Sequence, residues 1–394
     1  MNTSKSRIHL LLAFTFSTAL HAQSWEQRAN LSQPLLDATG FSIGEYGYVF
    51  GGYNGSSAQA YLWRYTPQLD VWGAAVQYPG TIVRACAAAG LDGVGYVFGG
   101  RTGVNGQYSS ALWSYDPSMF QWTQKTSKPG VGLAYSSAFA MNGRLYVFGG
   151  STPSDAYSNE LWEYRPDLDQ WSMKASLPAA GRSGAIGVVM NGMGYIIGGN
   201  DASANFASKD VWQYDPDTDA WTQKADMPGS ERRAGCGFEL GGLVYAGGGW
   251  DGTSYFTDFY TFDPTANSWT PIQDYGGNGA YTPVGFAINN TGYVSTGGTG
   301  TGASAQCWAY VNNAISVIER TEERFEPYRN GYEIIVQGSE GSPYTIADAS
   351  GRTIADGAIR NGRINLVKIP HGVYVLHCTD LHGGAFAWKF VMGE

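Results

Sequence analysis

The sequence predicts an all-β protein: a six-bladed β-propeller closed by its own N-terminal strand, followed by a small C-terminal β-sandwich. Three observations carry that prediction. Of 394 residues, 55 are glycine, 14% are aromatic and only 14% are charged, the balance of a turn-rich strand protein. Gly-Gly doublets begin at 51, 99, 149, 198, 248 and 297, in steps of 48, 50, 49, 50 and 49 residues. Two aromatic series keep the same step: Trp63, Trp113, Trp162, Trp212, Tyr260 and Trp308, then Trp72, Trp122, Trp171, Trp221 and Trp269. Three series sharing one period of about fifty residues mark a repeated structural unit.

Each unit reads in the same order. A strand of small residues meets a Gly-containing turn, and a Tyr-rich strand then runs into the doublet, as in GYVFGG at 47–52 and 95–100 and LYVFGG at 145–150. A polar loop, an apolar-Trp-x-Tyr strand, an Asp-Pro type turn and a fourth strand opened by Trp complete it. Four short strands per unit is the signature of a propeller blade. The doublet permits φ > 0 where the chain leaves the sheet, and the Trp side chains supply apolar faces between blades. The sixth unit stops after Cys307-Trp308-Ala309-Tyr310 without a fourth strand. A matching segment stands at the other end: Trp25-Glu26-Gln27-Arg28-Ala29-Asn30 resembles Trp221-Thr222-Gln223-Lys224-Ala225-Asp226. The N-terminal strand is therefore expected to complete the last blade and leave only short edges.

The chain divides into a signal peptide (1–22), the propeller (23–310), a charged linker (311–330) and the tail (331–394). Lys5 and Arg7 precede the apolar run Ile8–Leu20, and cleavage is expected after Ala22. Without that segment 22 basic residues face 33 acidic ones, a charge of −11 that repels phosphate backbones, so nucleic acid is not an expected partner. Cys86, Cys236, Cys307 and Cys378 show no paired spacing, and the first three are expected as small buried apolar residues.

The phased Tyr-x-x-Gly-Gly and Trp residues over about 23–310 resemble Kelch repeats. That resemblance implies a Kelch propeller, a fold that serves protein binding, sugar-acid mutarotation and copper oxidation alike. In the tail, Tyr344-Thr-Ile-Ala-Asp348-Ala-Ser-Gly351-Arg352, Ile369-Pro-His-Gly372-Val373-Tyr374 and the terminal Lys389-Phe390-Val391 resemble the C-terminal sorting domain of type IX secretion substrates. Glu326-Pro327-Tyr328-Arg329-Asn330 replaces the usual Pro-Asn-Pro. The resemblance implies that the secretion machinery is a partner, that the tail is removed, and that the propeller reaches the surface or surroundings of a Gram-negative cell.

All five histidines (His9, His21, His371, His377 and His382) lie outside 23–310, which removes imidazole ligands and a His base from the propeller. No catalytic residue, metal or cofactor is expected. Asp215-Pro-Asp217-Thr-Asp219 reads as a repeated outer turn because Ala220 and Asp226 occupy the Gly and Glu positions of a calcium loop.

The candidate site is a channel mouth. In an antiparallel blade, the segment leading into the first strand and the loop after the doublet share one end. Arg84, Arg182 and Arg232 stand 15, 16 and 16 residues before their doublets, Arg233 follows, and Arg101 comes directly after its doublet. Five of the propeller's 14 basic residues thus gather on one rim, while 23 acidic residues make the propeller as a whole −9. The loops after the doublets add Tyr53, Asn54, Asn200, Asp201, Trp250 and Asp251, a mixture suited to sugar faces. Arg forks bind carboxylates through both oxygens. The leading expectation is a monomeric binding module for a glycan, an acidic peptide or a protein. The alternatives are a sugar-acid enzyme such as a sialic-acid mutarotase, with Glu231 shuttling a proton, and a structural surface protein.

Overall fold

The computed structural model describes residues 24–311 apart from 82, 103–105 and 202–206. Toward the C-terminus it describes 328–330, 333–335, 341–348, 352–361, 363–366, 369–370, 372–379 and 385–392. The chain forms two compact units, 1–314 and 315–394. The expected signal segment with its cut after Ala22, and residues 312–327 of the expected linker, lie outside the described residues. The linker's limits differ from expectation: Val311 still pairs with Ser24 in a strand, and Tyr328–Asn330 is itself a strand.

No helix occurs among the described residues. In the first unit, six antiparallel sheets follow one another, five of four strands and the fourth in order with an added two-residue strand, Arg182–Ser183. A two-stranded ribbon also pairs Gly298–Thr299 with Gly302–Ala303. The first sheet shows the plan: Leu36–Ile43, Tyr46–Tyr53, Tyr61–Thr66 and Val71–Gln77, paired in that order. Its second strand is almost wholly buried, since neighbouring sheets cover both faces. The sixth sheet contains Val284–Ile288, Thr291–Ser295 and Cys307–Val311, and its outer strand is Ser24–Arg28, which pairs antiparallel with Cys307–Val311.

Neighbouring sheets are joined by a recurring hydrogen bond. The Nε1 of each fourth-strand Trp donates to a carbonyl at the end of the preceding sheet's fourth strand. Trp72 reaches Ala29, Trp122 Val76, Trp171 Thr126, Trp221 Ala175, Trp269 Ala225 and Trp25 Gln273, at 2.8–3.4 Å. The outer turn adds a second link in four sheets; in one, Asn267 Oδ1 accepts from the Ala225 N–H at 3.0 Å. Asp70, Asp169 and Asp219 each accept from a Tyr hydroxyl of their own sheet and from a backbone N–H of the preceding one. Asp219, read from sequence as part of a turn, therefore also fastens sheet to sheet.

Packing between sheets is matched by size. A Cβ on Gly47 would meet the ring of Phe286 at 2.3 Å, one on Gly95 that of Phe41 at 2.4 Å, one on Gly194 that of Phe139 at 2.7 Å, and one on Gly292 that of Phe238 at 2.0 Å. Where this slot holds Leu145 or Val244, the preceding sheet offers the smaller Ala89 or Val188 in the same core. Large meets absent, and medium meets small, so neighbouring sheets pack in close contact.

In the second unit, strands Tyr328–Asn330, Glu333–Ile335 and Arg363–Asn365 form one sheet, and Thr353–Ala358, Pro343–Asp348, Gly372–Thr379 and Ala385–Met392 form another. Ile334 and Ile364 of the first share one apolar core with Ile346, Tyr374 and Leu376 of the second. All four cysteines are free and buried.

Trp25 is 7% exposed and packs on Phe259, Tyr275 and Tyr310. Trp25→Ala should therefore cost about 3–5 kcal/mol in urea unfolding, far more than a change near a chain end normally does. A loss below about 1 kcal/mol would show that the first strand is dispensable.

Candidate functional site

The chain enters each first strand through a residue in the left-handed region. These are Asp37, Ala85, Tyr135, Gly184, Ala234 and Thr282, all with φ between 52° and 63°. Each N–H after the first donates to the carbonyl of its predecessor, from Ala85 to Asp37, Tyr135 to Ala85, Gly184 to Tyr135, Ala234 to Gly184 and Thr282 to Ala234, at 2.6–2.8 Å. The N–H of Asp37 donates to Thr282 Oγ1 at 2.9 Å, so the series returns to its start. This belt is the floor of the candidate site.

Immediately before each belt residue stands one that pairs with the residue following the doublet: Leu36 with Tyr53, Arg84 with Arg101, Ala134 with Ser151, Ser183 with Asn200, Arg233 with Trp250 and Tyr281 with Gly298. Members of five of these pairs, together with the belt residues Tyr135, Gly184, Ala234 and Thr282, line a cavity of about 360 Å³. Arg101, Arg233, Tyr108, Tyr135, Tyr157 and Tyr281 line it together with Ser151, Ser183, Asn200, Thr282 and Asp155.

The rim residues expected from sequence divide into three groups. Arg101, Asn200 and Arg233 line the cavity. Tyr53 and Trp250 stand behind, under guanidinium groups: Arg84 lies 5.1 Å from the Tyr53 ring and Arg233 4.8 Å from that of Trp250. Arg84, Arg182 and Arg232 do not line it, which corrects the expectation of three converging guanidinium groups. Arg84 is 7% exposed and pairs with Asp37 at 3.2 Å. Arg182 is buried against Asp201 and Asp210, and Arg232 forks onto Asp258 at 2.6 and 2.8 Å beneath the Phe256 ring. For Arg182 and Arg232 the cause is register: they stand one position earlier than Arg233, which directly precedes a belt residue, and in extended backbone one position turns a side chain to the opposite face. Arg84 shares the register of Arg233 but is held against Asp37 and the Tyr53 ring. Asn54, Asp251 and Glu231 are outside the lining as well, and Glu231 is exposed.

Sequence reasoning missed Asp37, Tyr135, Tyr281 and Thr282. The belt positions advance by 48, 50, 49, 50 and 48 residues, always 14 before the first positive-φ residue of the doublet, so spacing alone could have located them. In the sixth unit those two residues are Thr296 (φ 62°) and Gly297 (φ 103°), one residue ahead of the Gly297-Gly298 pair read from sequence.

Arg233 Nη1 donates to Asn200 Oδ1 at 2.9 Å, and its burial lowers its proton affinity. Burial works against the charge of Arg101 too, but Tyr135 and Asp37 beside it outweigh that and hold its proton more tightly. Both arginines stay charged in a site walled by Tyr rings. Cys86, Cys236 and Cys307 are buried and their thiols pushed up, that of Cys307 to about 12, so none is a nucleophile. Among the described residues no cluster of His, Cys, Asp or Glu is arranged to hold a metal. The chemistry on offer is recognition of an anion by two guanidinium groups amid hydroxyls and aromatic faces.

Phased antiparallel sheets around a ligand-sized hollow define a β-propeller repeat protein. The family profile described as the KLHDC2/KLHL20/DRC7 Kelch-repeats domain matches residues 37–237 and, in an overlapping placement, 85–298. The chain belongs to this Kelch-repeat family. It is similar to the solved structure described as "Structure of YjhT", with a TM-score of 0.63 and 19% identity over 71% of this chain and 95% of that one. At that identity the likeness establishes the fold alone. No curated protein matches the chain in sequence.

The register argument sets Arg232 apart as structural. Burial opposes the charge of Asp258, yet the Arg232 fork and the Tyr260 hydroxyl hold its carboxyl below the usual range. Arg232→Ala should destabilise by about 3 kcal/mol, the low end for a broken buried pair. Asp258 is 27% exposed, which limits the loss. Because the folded-state proton affinity is depressed, the stabilisation is present above about pH 4 and is lost as pH falls through the lower folded value. Urea unfolding of Asp258→Asn should show a shallower acid limb than the parent; an unchanged limb would remove the pair from the stability account.

Proposed function

We propose that the protein is a six-bladed Kelch propeller, closed by its N-terminal strand, whose mouth cavity binds a small carboxylate-bearing ligand such as the acidic sugar of a glycan. The Kelch-repeat propeller fold points to a binding or scaffold module. What carries the ligand reading is the pair Arg101 and Arg233 lining one cavity with Tyr135, Ser151, Ser183 and Thr282 hydroxyls. Guanidinium groups suit a carboxylate, hydroxyls suit a polyol, and tyrosine faces suit the C–H side of a pyranose. The circular hydrogen-bond series and the pairing of Ser24–Arg28 with Cys307–Val311 support ring closure.

The test is binding of glucuronate, with glucose as the neutral control, by calorimetry. A charge-assisted bond is worth roughly 1.5–3 kcal/mol, so Arg101→Ala and Arg233→Ala should each weaken glucuronate binding about ten- to a hundredfold. Their melting temperatures should move far less than that of Arg232→Ala. Equal affinity for glucose and glucuronate would overturn the carboxylate reading.

We further propose that the signal segment and a type IX sorting tail deliver the propeller to the surface or surroundings of a Gram-negative cell, where it acts as a monomer. The motifs around Tyr344, Ile369 and Lys389 support this, together with the compact all-β second unit. Removing residues 325–394 should leave the propeller folded but retained in the periplasm; normal surface delivery of the truncated chain would sink the route.

A further inference from the structure

Asp37 has no part in the carboxylate reading above, yet it is a buried carboxyl in the belt beside that cavity. Its side chain is 2% exposed. Oδ2 stands 3.2 Å from Arg84 Nη1 and accepts from the Tyr135 hydroxyl at 2.9 Å, while Oδ1 is buried with no hydrogen-bond partner. The charged and titratable groups facing it come from four other sheets: Arg84 and Arg101 from the second, Tyr135 from the third, Arg233 from the fifth and Tyr281 from the sixth. Its own strand, Leu36–Ile43, carries no other ionisable side chain.

Tyr135 links Asp37 to the cavity. An ionised carboxylate only accepts, so Tyr135 donates its single proton downward to Asp37 while its oxygen receives Arg101 Nη2 at 3.2 Å. Toward the cavity it then has no proton to offer, only lone-pair density. An anion drawn to Arg101 and Arg233 meets that lone pair with a buried negative charge behind it. One proton on Asp37 removes both obstacles. The buried charge is neutralised, and Asp37 becomes the donor to Tyr135, whose own O–H is released to point at the anion. Charge balances, since the anion brings −1 and the proton, taken from solvent, brings +1.

We propose that the mouth cavity takes up its anion together with one proton, and that Asp37 holds that proton. The proposal rests on the carboxylate reading of the cavity and adds its regulation. Burial pushes the Asp37 carboxyl above the usual range despite Arg84, Tyr135 and Arg101, and an added negative charge at the cavity acts in the same direction. By linkage, anion affinity falls with rising pH, by up to about tenfold per unit between the free and ligand-bound titration points of Asp37.

The experiment is calorimetric titration of the full chain with glucuronate, whose own carboxyl stays ionised, from about pH 8 to about pH 5 in buffers of different ionisation heat. The expected result is at least about fivefold tighter binding at the acid end, with buffer-dependent heats that report uptake of up to one proton. Asp37→Asn mimics the neutral form, and Asn tolerates the left-handed backbone. It should bind with a flat pH profile and no proton uptake. If that variant does not fold, the parent's buffer-dependent heats decide alone. Glucuronate binding with neither pH dependence nor proton uptake would overturn the coupling and leave the carboxylate site standing. Absence of glucuronate binding in both proteins at every pH would overturn the site, and the coupling with it.

Discussion

The first unit depends on one backbone constraint: each sheet begins with a residue turned into the left-handed region so that its N–H reaches the corresponding residue of the sheet before, at its carbonyl in five sheets and at the Thr282 hydroxyl for Asp37. For Ala85, Tyr135, Ala234 and Thr282 that conformation costs roughly 1–2 kcal/mol each, about what a single hydrogen bond returns. The belt therefore contributes little net stability. Its effect is directional. It sets the angle at which every inner strand starts, brings six lead-in residues to one end, and makes the floor of the mouth out of backbone that cannot shift one member without shifting the next.

Period was legible in the sequence because it is written in residues with unusual demands. Gly at positive φ and Trp with an indole N–H to satisfy recur visibly. Phase was less legible. Thr296 accepts the left-handed position that five glycines hold elsewhere, and the neighbouring Gly297-Gly298 pair draws the eye one residue too far. The same single-residue slip put Arg84 in one class with Arg182 and Arg232, although the belt aligns it with Arg233. Asp37, Tyr135 and Thr282 were invisible by composition, since their position holds Asp, Ala, Tyr, Gly, Ala and Thr in turn. Backbone geometry selects that position, and side-chain chemistry there is free to vary.

That freedom explains how a repetitive scaffold acquires a non-repetitive site. Positions that fasten sheets repeat their chemistry, as the Tyr65–Asp70, Tyr164–Asp169 and Tyr214–Asp219 pairs do. Positions at the mouth carry arginine, serine, tyrosine and alanine in no order. Arg233 illustrates the result: an amide holds one nitrogen, Trp250 covers its face, and Trp250, Tyr255 and Tyr281 cluster with ring centres 6.0–6.1 Å apart. Aromatic cover lowers the local dielectric, so the charge that remains acts more strongly on whatever enters.

The size matching between sheets has a consequence for ancestry. Copies of one repeat start out interchangeable, and any could occupy any place. Phe41, Phe139, Phe238 and Phe286 each lean into a glycine of the next sheet, whereas Leu145 and Val244 are preceded by the smaller Ala89 and Val188, so a unit presenting Phe clashes with those two places. The units have become like dominoes whose touching halves must agree. Their cyclic order is now constrained: a unit that opens on Leu145 or Val244 cannot follow one that presents Phe unless the adjoining half changes with it.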